Sequence, residues 1–279
     1  MRIRPYYSAR TGNDPKGLRI DLPILRRFVE STYNKLLRNC YLQEALGFEC
    51  VDAGFIPGYV GDDVETYALL RLKRLSIFPF DKNYDHSESD LFDLLEFLFD
   101  HVSKPVDGRY HDWDECGWHY STFDKTGGQS EFRDEVNLVL KDYGIGWELS
   151  EDGEILLAGE SGLNLLFEAQ LPGNHRDGLH DRVHAAISKF RRHKSSIDDR
   201  RDAVRNLADV LELLRPKLKQ VLNSQDESDL FNIANNFGIR HNNEKQKREY
   251  DQDIWLSWMF YYYLSTIYAA MHLIERREI

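Results

Sequence analysis

From Ile254 to Ile274 the chain carries no Asp, Glu, Lys or Arg. A stretch of that length and apolarity has two homes, a bilayer or the inside of a helical bundle. Its contents favour the bundle. Two tryptophans, Trp255 and Trp258, and four tyrosines lie within it, and the Tyr261-Tyr262-Tyr263 run falls near its middle. A membrane span keeps Leu and Ile there and sends aromatics to the interfaces. The expectation is a long buried helix from about Asp251 to Arg277, no membrane span, and other helices to cover it.

Three further helical patterns precede it. The first runs from Asp181 to His193. The second opens at Ser196, with Asp199 at the third position after the cap, the arrangement in which a serine hydroxyl and a carboxylate satisfy each other's free backbone N–H groups. In it Ile197, Val204, Leu207, Ala208, Leu211, Leu214, Leu218 and Val221 recur at threes and fours, which puts them on one face. Pro216 is expected to kink or restart it. The third is short, Asp229 to Phe237, and Gly238 ends it. Four helices with short joints imply an antiparallel bundle.

Leu171-Pro172-Gly173 through Gly178 breaks every periodic pattern, and the composition turns basic after it. The expected boundary therefore divides residues 1–172 from 173–279. Before it, apolar residues recur at helical spacing in Leu22–Leu46, Val64–Leu75, Leu91–Val102 and Phe132–Leu140. Gly146–Ser150 and Glu154–Leu157 alternate across Glu151-Asp152-Gly153, the pattern of a small β-hairpin. As a brace over a helical core it suits an acidic turn better than as a wing on nucleic acid. The fold class expected is mainly α, an N-terminal helical domain with a small β-hairpin followed by a four-helix bundle.

With 36 Lys and Arg against 47 Asp and Glu, the formal charge of −11 argues against a constitutive coat for DNA or an anionic membrane. Cys40, Cys50 and Cys116 are too few and too irregular for a disulfide framework, which points to a reducing cytoplasm. No apolar signal core follows Met1-Arg2-Ile3-Arg4.

Asn235-Asn236-Phe237-Gly238-Ile239-Arg240-His241-Asn242-Asn243 is a dense polar cluster between two apolar patterns. A permanently charged guanidinium beside a titratable imidazole, flanked by amides, suits phosphate chemistry. The residues themselves leave three readings open: a site that cuts RNA, a site that binds without cutting, and a structural joint in which the asparagines cap helix ends.

Leu230 to His241 resembles the motif region of a HEPN domain, and the whole chain resembles AbiJ-like abortive-infection proteins. In that comparison Phe132–Asn137 and Gly144–Leu149 with the Asp152-Gly153 turn are similar to the family's N-terminal domain. The resemblance implies a C-terminal HEPN-like bundle and a metal-independent endoribonuclease acting in antiphage defence or as a toxin. It implies RNA as substrate, a homodimer, no cofactor and no metal, and a defence-system partner protein in the regulatory variant of that function. Carried onto this chain, Arg240 and His241 are the catalytic pair and Asn236, Asn242, Asn243 and Lys245 the substrate-binding residues. The family separates its Arg and His by four to six residues. Here they are adjacent, and the positions where the His would fall are Lys245, Gln246 and Lys247.

Two other groupings hold metal-ligating types. His111, Cys116 and His119, with Asp112, Asp114 and Glu115, offer donors at a spacing that matches no common zinc motif, and Trp113, Trp118 and Tyr120 among them favour ordinary packing and hydrogen bonding. His175, His180, His184 and His193, among Arg176, Arg182, Arg191 and Arg192, fit a solvated basic face.

Overall fold

A computed structural model describes residues 7–11, 20–159, 163, 166–167, 169, 171–172, 178–192, 195–220, 222, 231 and 251–278. The chain divides into two compact units, Met1–Ile155 and Leu156–Ile279. The division falls before the Pro-Gly break at 172–173. Its physical reason is that Leu166, Phe167 and Leu171 already pack on the core of the second unit.

The first unit contains α1 (Tyr7–Arg10), α2 (Leu22–Arg38), α3 (Gln43–Leu46), β1 (Phe48–Cys50), β2 (Gly54–Ile56), α4 (Val64–Leu72), α5 (Glu88–His101), β3 (Lys104–His111), β4 (Gly117–Asp124), α6 (Lys125–Leu140) and β5 (Trp147–Leu149), with β6 (Ile155–Leu157) at the division. The helices stand where the apolar spacing puts them. The single long pattern Leu22–Leu46 is split into α2 and α3, because Cys40 turns the chain in the left-handed region at φ 60°.

The expectation of one hairpin is corrected. Three antiparallel pairs are present among the described residues: β1–β2, β3–β4 and β5–β6. Only the last showed clean alternation in sequence. In β3 the register shifts between Pro105, Asp107 and Gly108, so its inward residues do not alternate strictly and the period-two signal is lost.

Helix α5 is the axis of this unit. Leu91, Leu94, Leu95 and Leu98 are fully buried, and α2, α3, α4 and α6 all touch it. Its start is fixed by a capping box in which the Ser87 hydroxyl accepts from the Asp90 N–H and the Asp90 carboxylate accepts from the Ser87 N–H. Burial alone would raise the pKa of Asp90, but the Ser87 bonds and an ion pair with Arg74 at 2.6 Å outweigh it and hold the carboxyl below its ordinary value. Gly128 is required where α6 passes the start of β3: a Cβ there would stand 2.5 Å from the Lys104 nitrogen.

The second unit is built on α7 (Leu179–Arg191), α8 (Ile197–Leu218) and α9 (Gln252–Glu278). The Ser196–Asp199 capping box is present as the sequence indicates. Pro216 sits in the last turn of α8, which runs unbroken through it, so the proline does not restart the helix. The helix continues past it and ends at Leu218. Lys189 near the end of α7 meets Asp202 near the start of α8 at 3.2 Å, and the two helices pack extensively on each other from that short joint, so they run antiparallel. Arg200 meets Asp253 at 3.4 Å and Arg201 donates to Gln252 at 3.0 Å, which brings the N-terminal ends of α8 and α9 together. Those two run the same way, and the chain between Leu218 and Gln252 joins opposite ends of the pair. The third expected helix, Asp229–Phe237, lies outside the described residues except for Phe231, whose buried ring carries the Arg215 guanidinium at 4.3 Å.

Leu256, Met259, Phe260, Tyr263, Leu264, Ile267, Ala270 and Ile274 form the buried stripe of α9. That is helical spacing sustained over about five turns. Phe260 stacks on Phe190 of α7 with centroids 4.0 Å apart. Trp255 and Trp258 remain partly exposed on another side. Among the described residues no helix is long and apolar enough to cross a membrane.

Phe260→Ala should destabilise the second unit by about 3–5 kcal/mol, read from chemical denaturation, because the ring is fully buried and its neighbours cannot close the space. In the first unit His86 is buried against Phe80 in a parallel stack at 4.5 Å, with neither ring nitrogen hydrogen-bonded. Burial, helped by Arg26, lowers its pKa below the ordinary 6.5. As pH falls through that value the unfolded chain takes up a proton that the folded ring refuses, so stability declines on acidification. His86→Phe should keep the stack and reduce the loss of thermal stability between neutral and mildly acidic pH; an unchanged pH slope would show that His86 is not its source.

Candidate metal centre

Four donor atoms, three from one ribbon tip and one from a hairpin some sixty residues earlier, converge in the first unit. Cys50 ends β1, His111 ends β3, Cys116 lies in the turn that follows and His119 is in β4, and their ligating atoms all lie within 4.8 Å of one another. The β3–β4 register sets the two imidazoles. His111 pairs with Gly117 and Arg109 with His119, so His111 and His119 are diagonal neighbours on one face of the ribbon, their rings 5.2 Å apart.

The turn delivers Cys116. After Trp113, Asp114 and Glu115 both adopt left-handed backbone, at φ 46° and 54°, and Gly117 follows at φ 96°. Two consecutive non-glycine residues in that region cost about 1–2 kcal/mol each, so something must hold the turn. Within it Cys116 Sγ stands 3.1 Å from His119 Nε2. On the other side Cys50 Sγ is 3.9 Å from His111 Nδ1. His111 Nε2 faces Asp52 Oδ2 at 3.2 Å, and Phe48 packs its ring on His119 at 4.5 Å. Desolvation, reinforced by His111 and Arg109, lowers the pKa of His119, which favours the neutral ring.

Apolar contact does little to hold this end. Tyr110, Trp113 and Trp118 are largely exposed, and β1 and β2 are three residues each. What anchors the ribbon is Gln43 of α3: its Nε2 donates to the Trp118 carbonyl at 2.9 Å and its Oε1 accepts from the Tyr120 N–H at 2.7 Å. The amide acts as a substitute strand along the outer edge of β4. Asn137 of α6 does the same for β5, donating to and accepting from Leu149.

The sequence grouped His111, Cys116 and His119 but assigned them to loop packing, and it missed Cys50. No local spacing could reveal the fourth donor, since Cys50 joins only through the fold of β1 against the ribbon tip. Asp112, Asp114 and Glu115 are not part of the converging set. Arg240, His241, Asn236, Asn242, Asn243 and Lys245 all lie outside the described residues, as do His175 and His193 of the basic face.

A second concavity in the same unit, of about 550 Å³, is lined by Tyr59, Tyr67, Arg71, Glu96, His101 and Lys125 among others. Its imidazole is committed: His101 Nε2 lies 3.0 Å from the Tyr67 hydroxyl and Nδ1 lies 2.6 Å from the Phe97 carbonyl. Burial raises the pKa of Glu96, whose carboxylate accepts from the Ile155 N–H. His101 and Glu96 are thus each held by a neighbour within the unit.

No family model, curated protein or solved structure matches the chain.

Gln43→Leu should lower the stability of the first unit by about 1–3 kcal/mol, because two backbone groups of β4 lose their partner while the side chain keeps its volume. Urea denaturation checks the size, and amide exchange at Tyr120 checks that the loss is local.

Proposed function

We propose that the chain is an endoribonuclease of the HEPN type, acting in antiphage defence or as a toxin, with the second unit as its RNA-acting part. The observation that supports this reading is the direction of the helices. With α7 antiparallel to α8 and the N-terminal ends of α8 and α9 together, the bundle has the up-down order into which one returning helix between Leu218 and Gln252 fits. The Arg240–His241 cluster is the polar sequence that leads into α9.

In this reading the ribose 2′-hydroxyl attacks the adjacent phosphorus and the 5′-oxygen leaves. His241 moves the proton, as base for the hydroxyl or acid for the leaving oxygen, and Arg240 stabilises the charge on the phosphorane oxygens. Asn236, Asn242, Asn243 and Lys245 orient the backbone of the RNA. No metal takes part in these steps. A homodimer allows Arg240 of one subunit to serve His241 of the other, which removes the constraint that adjacency in sequence imposes.

The adjacency itself favours a second reading, a non-catalytic RNA- or nucleotide-binding module that regulates a separate effector. Structured RNA incubated with the purified protein separates the two. Cleavage should continue in EDTA and fall about 10²–10⁴-fold in His241→Ala and in Arg240→Ala. Binding without cleavage, weakened by Arg240→Ala, would select the regulatory module; cleavage equal in wild type and both variants would remove this cluster from the chemistry.

A further inference from the structure

We propose that Cys50, His111, Cys116 and His119 bind one zinc ion in a closed tetrahedral site, and that this ion fastens the β1–β2 hairpin to the tip of the β3–β4 ribbon.

The donor chemistry is specific. Two thiols and two imidazoles are the set that selects zinc over hard cations, which take oxygen ligands. Zinc–nitrogen bonds of about 2.0–2.1 Å and zinc–sulfur bonds of about 2.3 Å place the donors of a tetrahedron ~3.3–3.8 Å apart. The Cys116–His119 edge at 3.1 Å and the Cys50–His111 edge at 3.9 Å bracket that range, and the whole set lies within 4.8 Å. One ion at the centre therefore reaches all four with only small movements of side chains.

Each imidazole turns one nitrogen toward a cysteine sulfur of the set. His111 would ligate through Nδ1, because its Nε2 is turned to Asp52, the carboxylate–histidine arrangement that fixes a ligand's tautomer and orientation. His119 would ligate through Nε2, the nitrogen that faces Cys116. On binding, the thiols of Cys50 and Cys116 release their protons to solvent and become thiolates. The two negative charges then balance the ion, so the partly buried site is neutral as a whole.

Four protein donors leave no position for water or substrate, which assigns the ion to structure and not to catalysis. The surrounding fold needs such a fastener. Two strands of three residues and an exposed ribbon tip cannot hold themselves by burial, and the left-handed pair Asp114-Glu115 requires compensation. Coordination by Cys116 would hold that turn, while coordination by Cys50 would close the long loop between β1 and β3.

Metal analysis of the full-length protein, purified under reducing conditions without chelator, should find about one zinc ion per chain. Cys50→Ser and His119→Ala should lose it, whereas Cys40→Ser, which changes a cysteine outside the set, should keep it. Asp52→Ala should retain the ion but weaken it about 10–100-fold. Cobalt(II) exchanged into the wild-type protein should give the intense visible bands of tetrahedral coordination with thiolate charge transfer, a readout that does not depend on any variant folding. Zinc absent together with no cobalt spectrum, an octahedral cobalt spectrum, full zinc retained in Cys50→Ser, or a Cys50–Cys116 disulfide in the protein as purified would each overturn the proposal. Arg240→Ala and His241→Ala should leave zinc content unchanged, so this site and the ribonuclease reading stand or fall separately.

Discussion

Burial of α5 around most of its circumference is the constraint on which the first unit depends. A helix with Leu91, Leu94, Leu95 and Leu98 all fully buried cannot be stable alone, and its neighbours α2, α3, α4 and α6 are placed by the need to cover it. The hairpins are secondary to that arrangement. They project from the ends of covered helices, and their positions follow from side chains that the helices extend to them, Gln43 from α3 and Asn137 from α6. The converging Cys and His residues lie at the tip of the β3–β4 ribbon, where Tyr110, Trp113 and Trp118 are exposed and hydrogen bonds from Gln43 hold β4.

The second unit follows a different economy. Its core is one continuous set of apolar side chains, mainly from α7, α8 and α9, and the polar contacts described between these helices sit near one end of them. Lys189, Arg200 and Arg201 reach across to acidic or amide partners at the same end of the bundle. These exposed pairs add little energy but fix direction. They identify which helix ends are neighbours, and the proposed function draws its support from that.

What the sequence made legible was what is local and periodic. The α9 stripe, the Ser196 cap and the β5–β6 hairpin each carry their pattern within a few turns or one turn of chain, and each stands in the structure. The β3–β4 ribbon was hidden because the shifts around Asp107 break alternation and because its surfaces are largely polar or aromatic and exposed. The converging set of donors was half visible. His111, Cys116 and His119 share one ribbon tip and were grouped by proximity, whereas Cys50 enters from a hairpin whose docking depends on tertiary contacts that no spacing encodes. The reading of residues 235–243 rests on resemblance and on charge, and the described helices constrain only its approach.

The amide side chains of Gln43 and Asn137 have a consequence for how copies of this chain meet. A two-stranded sheet exposes the outer backbone groups of both strands, and such rows invite a strand from another molecule. Gln43 occupies the donor and acceptor that β4 would present at Trp118 and Tyr120, and Asn137 occupies those of Leu149. Each amide belongs to a helix, which has no further edge to offer, so pairing stops after one residue. At Trp118, Tyr120 and Leu149 the outer backbone groups of β4 and β5 are therefore already taken and offer nothing to a strand from another molecule.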